Sequence, residues 1–580
     1  MLRLARFLRP DRVFVALVLV LTFAQTMSSL YLPTLMSHIV DTGIVQGDVP
    51  YILRIGLWML LITVLGGLAS VLASFYAARA TAGFGQRLRS RLFGHVERYS
   101  LREFDRWGTS SLIVRTTNDV MQVQQLIYML LRMMVMAPLT ALGGILLAVH
   151  TDPRLSLIIV VVLPLMALVI YALMGRGLGF FRAIQTKVDG LNRVLRENLT
   201  GVRVVRSFGR TDHELARFDH ANRDLTDTSI RVFQLMATLM PVVMLIMNLA
   251  TVTVVWFGAV QINATTLQIG QLMAFIQYIM QIMFSVMMVS MMLFMLPRAE
   301  ASAARIDEVL ALKPEITDPR VPRAPAPGLR GRVEFADVTF QYPGAEEPAL
   351  HGVSFVASPG EVTAIIGGTG AGKSTLLHLI VRFFDVSGGS VRIDGVDVRE
   401  LSQEALRARI GYVPQHAVLF TGSVADNVRF GDAAASDAAV RHALDVAQAA
   451  EFVAALGGQA GDGLGAVVTQ GGGNLSGGQR QRLAIARALA RRAEIYLFDD
   501  SFSALDYRTD ARLRAALRHE IKDATTVVVA QRVSTVIDAD RILVLDDGRL
   551  VGAGTHRELL ASCPVYQEIV SSQLSPEEIA

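Results

Sequence analysis

A helical transmembrane domain, with six spans and long cytoplasmic helical arms, followed by an α/β domain is the fold class this sequence predicts. Three observations carry it. The 580 residues are 52% hydrophobic and only 18% charged, against about 25% charged in an ordinary soluble domain, and the mean hydropathy is +0.42. The apolar excess is concentrated in the first half, where runs long enough to cross a bilayer recur. In the second half, strand-like apolar runs alternate with helical stretches, the pattern of a largely parallel sheet covered by helices.

Charge divides the chain at the same place. Residues 1–330 hold 32 Lys and Arg against 20 Asp and Glu, a balance of +12, while residues 331–580 hold 23 against 31, a balance of −8. The single cysteine, Cys563, excludes a disulfide framework, a cysteine-based zinc site and an iron–sulfur cluster held by this chain alone. A wholly soluble or disordered chain is excluded by composition.

A bilayer core of ~30 Å takes about 20 apolar residues per helix. Residues 232–297 carry no charged side chain, which suffices for two spans joined by a polar turn at 263–268. Earlier spans read at about 13–35, 55–77, 126–148 and 155–177, making six. Arg3, Arg6, Arg9 and Arg12 precede the first apolar run as they would in a secretory signal, but the run extends past Leu30 and five more spans follow, so the first helix is read as uncleaved. Arginine is dense in the segments 78–125 and 178–231, whereas 41–50 carries only acids and 150–154 one charge of each sign. The positive-inside bias then places both termini, both arms and the α/β domain in the cytoplasm of a multi-pass protein of the inner (cytoplasmic) membrane. The arms carry apolar residues at helical spacing, Leu88, Leu92 and Val96 in the first and Leu191, Val194, Leu195 and Leu199 in the second. They read as helical hairpins projecting about 30 Å or more below the membrane.

The last two spans are rich in methionine, among them Met240, Met244, Met247, Met273, Met283, Met287 and Met292. Methionine suits a surface that repacks around varied apolar ligands, and equally fills lipid-facing and helix–helix positions. Asn248, Gln271, Gln277, Gln281 and Ser285 lie in the same spans, and polar groups at this depth are expected to face the bundle interior or a wet cavity. An amphipathic helix over 299–312 closes the transmembrane domain (1–312). A linker over 313–331 with Pro314, Pro319, Pro322, Pro325 and Pro327 marks the boundary, and 332–580 forms the second domain.

Its strongest motif is Gly367, Gly368, Thr369, Gly370, Ala371, Gly372, Lys373, Ser374 and Thr375, placed after a strand at 362–366 and opening a helix at 375–382. Small residues let backbone N–H groups wrap phosphates, the helix N-terminus favours anions, and the lysine reaches the outer phosphates. The second domain therefore reads as an α/β P-loop nucleotide-binding domain. The strand 495–498 leads into Asp499, a magnesium-holding carboxylate of the kind paired with such a loop. Ser476, Gly477, Gly478 and Gln479 open a further helix over 480–490 and form a second anion cradle.

Six spans with long arms, then a domain carrying Gly367–Ser374 and Leu475-Ser-Gly-Gly-Gln479, resemble a half-transporter of the ATP-binding cassette superfamily with the exporter-type fold. The resemblance implies a dimer of two such chains that sandwiches two ATP molecules, each between the phosphate loop of one chain and the signature motif of the other. By the same resemblance Tyr342 matches the aromatic that stacks on adenine. Gln415 matches the glutamine that touches magnesium and senses the membrane domain, Ser374 and Asp499 match the magnesium shell, and Asp506 ends the interface loop Ser503-Ala-Leu-Asp506. Phe104-Asp-Arg-Trp-Gly108 and Arg206-Ser-Phe-Gly-Arg210 fall where the family has its coupling helices.

The catalytic positions depart from the family pattern. Asp500 stands where the family has the glutamate that polarises the attacking water, one methylene short, and ~1 Å of misplacement can cost on the order of 100-fold. Gln531 stands at the switch histidine; it can donate a hydrogen bond but carries no titratable proton. Residues 469–474 also lack the acidic and basic pair common before the signature in exporters. With Lys373 and the signature intact, the chain is expected to be the degenerate-site subunit of a heterodimeric bacterial exporter, binding ATP at its own loop and completing a competent site with a partner half-transporter. A homodimer with two slow sites is the alternative. The expected cargo is a hydrophobic small-molecule or lipid-like solute moved outward; import on the same fold and a purely regulatory ATP clamp are the other readings. Nucleic acid is not an expected partner, because the arginine excess is explained by the arms beside the membrane.

Overall fold

The computed structural model describes residues 6–323, 330–457 and 463–574. Arg3, Pro325 and Pro327 lie outside the described residues. The chain divides into two compact units, Met1–Glu97 with Thr109–Leu312, and Arg98–Gly108 with Lys313–Ala580.

Among the described residues of the first unit, six helices are long and apolar enough to cross a membrane. They lie on α1 (Arg12–His38), α2 (Val49–Val96), α5 (Val120–Thr151), α6 (Pro153–Thr200), α8 (Thr211–Asn263) and α9 (Ile269–Ala311), with the short α3 (Leu101–Trp107), α4 (Thr109–Val114) and α7 (Val202–Ser207) between them. At 1.5 Å per residue, 48-residue helices such as α2 and α6 are about 72 Å long, so they run well past a ~30 Å bilayer core. Local chemistry sets their starts. Asp48 accepts from the Tyr51 amide and Asp152 from the Leu155 amide, each with a proline in the first turn, where its missing N–H costs nothing. Gln268 and Gln271 form a capping box at α9.

One apolar stripe runs along α2 from span into arm: Ala69, Ala73, Ala77, Ala80, Phe84, Leu88 and Leu92 are all buried. The spacing of three and four keeps them on one face, and the alanines admit close neighbours. The second arm is helical through Leu191, Val194, Leu195 and Leu199, but Leu195 and Leu199 are exposed. The expected separate helix over 299–312 is instead the end of α9, which continues through Pro297. Asn248 and Gln277 are exposed and do not join the interior, whereas Ser285 is buried. The methionines divide in the same way, with Met247, Met283 and Met292 buried and Met240, Met244 and Met273 exposed.

The second unit is built on a six-stranded sheet in the order β12-β11-β3-β10-β9-β6. Its strands are β3 (Val362–Gly367), β6 (Ile410–Val413), β9 (Ile495–Asp499), β10 (Thr525–Val529), β11 (Arg541–Asp546) and β12 (Arg549–Gly554); all pair in parallel except β12. A second, antiparallel sheet, β2-β1-β4-β5, comes from β1 (Val333–Phe340), β2 (Leu350–Ala357), β4 (Gly388–Ile393) and β5 (Val396–Asp397), and the short strands β7 (Gly422–Ser423) and β8 (Val467–Val468) pair with each other. The sequence reading did not anticipate this sheet. The loop helix α10 spans Lys373–Ile380, two residues earlier than expected, and the signature helix α11 (Gly477–Ala490) begins three residues earlier and ends as expected. Three further helices matter below: α12 (Tyr507–Glu520), α13 (Val533–Val536) and α14 (Pro564–Ser571).

Candidate nucleotide site

The phosphate loop hangs between β3 and α10 because its glycines allow it. A Cβ on Gly367 would meet the Leu545 carbonyl at 2.1 Å, and Gly372, at φ 92°, caps α10 in the left-handed region with a Cβ position 2.7 Å from the Ala349 carbonyl. No side chain caps α10, so its first N–H groups are left for a ligand. Gly368, Thr369 and Gly370 form the exposed rim, Ala371 is buried behind them, and Lys373 is buried. The Lys373 ammonium donates to the carbonyls of Gly367 at 2.9 Å and Gly368 at 2.6 Å. Burial pushes its pKa down, and the charges of Asp500 and Asp499 oppose that shift.

Ser374 and Asp499, the magnesium shell that the resemblance implies, meet. The Ser374 hydroxyl donates to Asp499 Oδ1 at 2.7 Å across 125 residues. Asp499 ends a strand buried at every position, and burial pushes its carboxyl above the ordinary range, against the Ser374 hydrogen bond and nearby positive charge. Among the described residues, no three His, Cys, Asp or Glu side chains cluster as a self-sufficient metal cage. A hydroxyl and one carboxylate beside a phosphate cradle fit Mg2+, which keeps waters and is held through one or two carboxylates plus substrate phosphates.

Asp500 follows at φ 45°, a left-handed conformation fixed by its amide bonding to the Val529 carbonyl at 2.9 Å. Its Oδ2 accepts from Gln531 Nε2 at 3.1 Å and from Gln415 Nε2 at 3.4 Å. Three sequence-predicted residues from three loops thus converge on one carboxylate oxygen. Burial raises the Asp500 pKa, and the Gln415 contact is among the effects that lower it.

Tyr342 is half-buried, edge-on to Phe340 and Phe384, with its hydroxyl 3.0 Å from Thr375 Oγ1. It lines a cleft of about 440 Å³ that also takes in Arg102, Glu315 and Pro343. Arg102 pairs with Glu315 at 2.6 Å, and Glu103, buried in α3, accepts from the Glu315 amide at 3.2 Å. The helix carrying Phe104–Gly108 is therefore tied to the segment that leads into the α/β domain.

The signature residues form a surface of their own. Ser476 Oγ accepts from the Gln479 amide at 3.2 Å, and Gln479 Oε1 accepts from the Ser476 amide at 2.8 Å, a closed capping box. Gly477 has open space where a Cβ would point. Asp506 caps α12 through the Thr509 amide at 2.9 Å, and Leu505 beside it is buried. Among the described residues, no hydrogen bond joins the signature residues to the phosphate loop of the same chain.

Gln573 is the residue that sequence reasoning missed. Its Oε1 accepts from the Val533 amide and its Nε2 donates to the Gln531 carbonyl, both at 2.8 Å. It clamps the backbone on both sides of the switch loop from just beyond α14. Nothing in the sequence around Gln573 signals this contact.

The family models for the ABC transporter transmembrane region and the ABC transporter domain match residues 15–286 and 350–503. An uncharacterized ABC transporter ATP-binding protein of Mycobacterium tuberculosis is 44% identical over 573 residues, covering 98% of this chain and 97% of the relative. The chain belongs to the ABC transporter family. An ATP-dependent lipid A-core flippase of Chromobacterium violaceum is 33% identical over 541 residues, 93% of this chain and 91% of the relative. In structure the chain resembles a bacterial Atm1-family ABC exporter with ATP bound, at a TM-score of 0.79 and 28% identity, over 98% of this chain and 99% of that one. It is a multi-pass membrane protein with the exporter fold, an ABC ATPase that couples ATP hydrolysis to transport.

Proposed function

We propose that this ABC exporter chain is one subunit of a heterodimer, in which its own phosphate loop binds ATP with Mg2+ and turns it over slowly. Its signature helix completes the faster site with a partner half-transporter. The observation that carries the reading is the Asp500 cluster. Asp500 keeps the charge of a general base but lacks one methylene, and Gln531 and Gln415 both donate to its Oδ2, so one of its two oxygens is already engaged twice. Efficient general-base catalysis needs hydrogen-bond reach to the attacking water, and Gln531 offers no proton that titrates. Bound Mg2+ would be held by Ser374 and Asp499, with Gln415 beside them, and would offset phosphate charge. Lys373 would leave the Gly367 and Gly368 carbonyls for the outer phosphates, and Tyr342 would meet the adenine.

The arginine-rich arms support an orientation with termini and α/β domain in the cytoplasm and outward movement across the cytoplasmic membrane. The apolar, methionine-rich last spans support an amphipathic cargo. The test is ATPase activity of the assembled pair. Asp500→Glu with Gln531→His should raise turnover at this chain's site by about 10- to 100-fold, read with the partner's own glutamate neutralised. Full exporter rates from the unmodified chain purified alone, or full activity after neutralising the partner's glutamate, would sink the reading.

A further inference from the structure

Between Asp119 and Asp152 the chain carries one Lys, Arg, Asp or Glu, Arg132, which a span-by-span reading of hydropathy passes over. It sits on α5, whose far end at Thr151 abuts the short turn into α6. Counting down from His150 at 1.5 Å per residue places Arg132 about 27 Å below that turn, at the cytoplasmic boundary of a ~30 Å core. The guanidinium points into the bundle. Nη1 donates to Gln25 Oε1 on α1 at 3.2 Å, and Nη2 reaches Ser70 Oγ on α2 at 3.5 Å. Ser70 lies about 31 Å along α2 from Val49 by the same count, so both helices put the contact at one depth.

Neither contact neutralises the charge. Both partners are neutral and both distances are long, and no ion pair is found for Arg132 among the described residues. Elsewhere in this unit buried Asp11 pairs with Arg87 and buried Asp119 with Arg305, and buried Asp152 accepts from the Leu155 amide. A guanidinium has five N–H donors, and an ionisable group at a membrane span is costly unless it is paired or serves a pathway. Nearer the opposite turn, Gln281 on α9 carries a buried Oε1 with no partner, and half-buried Met129, Met133 and Met136 flank Arg132 on α5. Together these form a cationic spot at leaflet depth beneath adaptable apolar walls.

We propose that Arg132 recognises the anionic head group, phosphate or carboxylate, of an amphiphile entering from the cytoplasmic leaflet, and so sets the cargo class as anionic. The inference rests on the transport reading and its orientation but not on the Asp500 site. The test uses the full-length chain in a neutral maltoside detergent without nucleotide, titrated with dodecyl phosphate against a micelle blank. Saturable binding is expected, weakened about tenfold or more by Arg132→Gln and largely kept by Arg132→Lys. Ser70→Asp, which supplies an internal counter-charge and leaves the arginine in place, should weaken binding similarly and covers the case in which Arg132→Gln misfolds. Two arms distinguish the sources of the anion: inorganic phosphate tests the free ion and dodecylphosphocholine the uncharged-net head group. Equal binding by inorganic phosphate, equal binding by dodecylphosphocholine, or unchanged binding in the folded variants overturns the proposal. Because no nucleotide is present, any of these outcomes leaves the account of ATP turnover untouched.

Discussion

The helices that open at Lys373 and at Gly477 both begin in glycine-rich turns, yet their ends are finished in opposite ways. α10 has no side-chain cap, and its lysine is held only by the carbonyls of its own loop. α11 is closed by Ser476 and Gln479, each satisfying the other's amide. The first end is left open for phosphate, as orphan N–H groups at a helix start require a partner from somewhere. The second is complete until a phosphate displaces one cap, an exchange that costs about 1 kcal/mol. On the proposed reading, one face of this domain would hold nucleotide by itself, and the other would offer a finished surface to a site shared with a partner chain. If the heterodimer reading is right, the second face matters more for turnover than the first.

Gly477→Glu is the harshest way to break that comparison. Open space surrounds the position, and an acid in the first turn favours the helix, so the fold should tolerate it. A carboxylate where a phosphate docks should cut ATPase activity of the assembled pair on the order of 100-fold or more. Lys373→Ala in the same chain should abolish ATP binding at its own loop while leaving most turnover in place. If the two variants behave alike, the two faces are not specialised.

Asp499→Asn gives the next largest effect and has two signs. Magnesium-dependent ATP binding at this chain's loop should fall by about tenfold or more. The apo chain should behave oppositely. Burial raises the folded pKa of Asp499, so its proton is held more tightly in the folded than in the unfolded state. The associated stability is present below the ordinary carboxylate pKa and is lost as pH rises through the raised folded value. Thermal unfolding without nucleotide should therefore show Asp499→Asn more stable than the parent at neutral pH, with the gap closing on acidification. A gap that widens toward low pH contradicts the burial argument.

What the sequence made legible here follows from the range of each signal. The phosphate loop, the strand ending at Asp499 and the signature helix are contiguous, and each announces itself within about ten residues. Six spans were visible because apolar runs are long, although Leu195 and Leu199 show that helical spacing alone does not say which face is covered. The antiparallel sheet left a trace in the buried positions Val333, Phe335, Val338 and Phe340, but the alternation breaks at a register shift between Phe335 and Val338. Gln531 was legible as a departure from a motif. Its bond to Asp500 across 31 residues was not, because convergence of loops is a property of the sheet order. Gln573 had no motif to stand in.

Gln573→Ala yields the smallest effect and sharpens the account most. Its amide spans the switch loop, accepting from Val533 and donating to the Gln531 carbonyl, so removal leaves a part-buried backbone N–H unpartnered. The cost should be about 1 kcal/mol, or less where water reaches the amide, too little to unfold the domain. The loss should be local, with the Val533 amide exchanging hydrogen several-fold faster while amides in β9 and α10 keep their protection. Gln531 would then hold Asp500 less firmly, and turnover at this chain's own site should change without a change in ATP affinity, since the hydrogen bonds of Gln573 go to Val533 and Gln531 and not to Lys373 or the loop glycines. Replacement by Glu keeps the acceptor for Val533 but loses the donor to Gln531, so it separates the two halves of the clamp. If Gln573→Glu matches the parent in turnover while Gln573→Ala does not, the Val533 amide is the half that sets the position of Gln531.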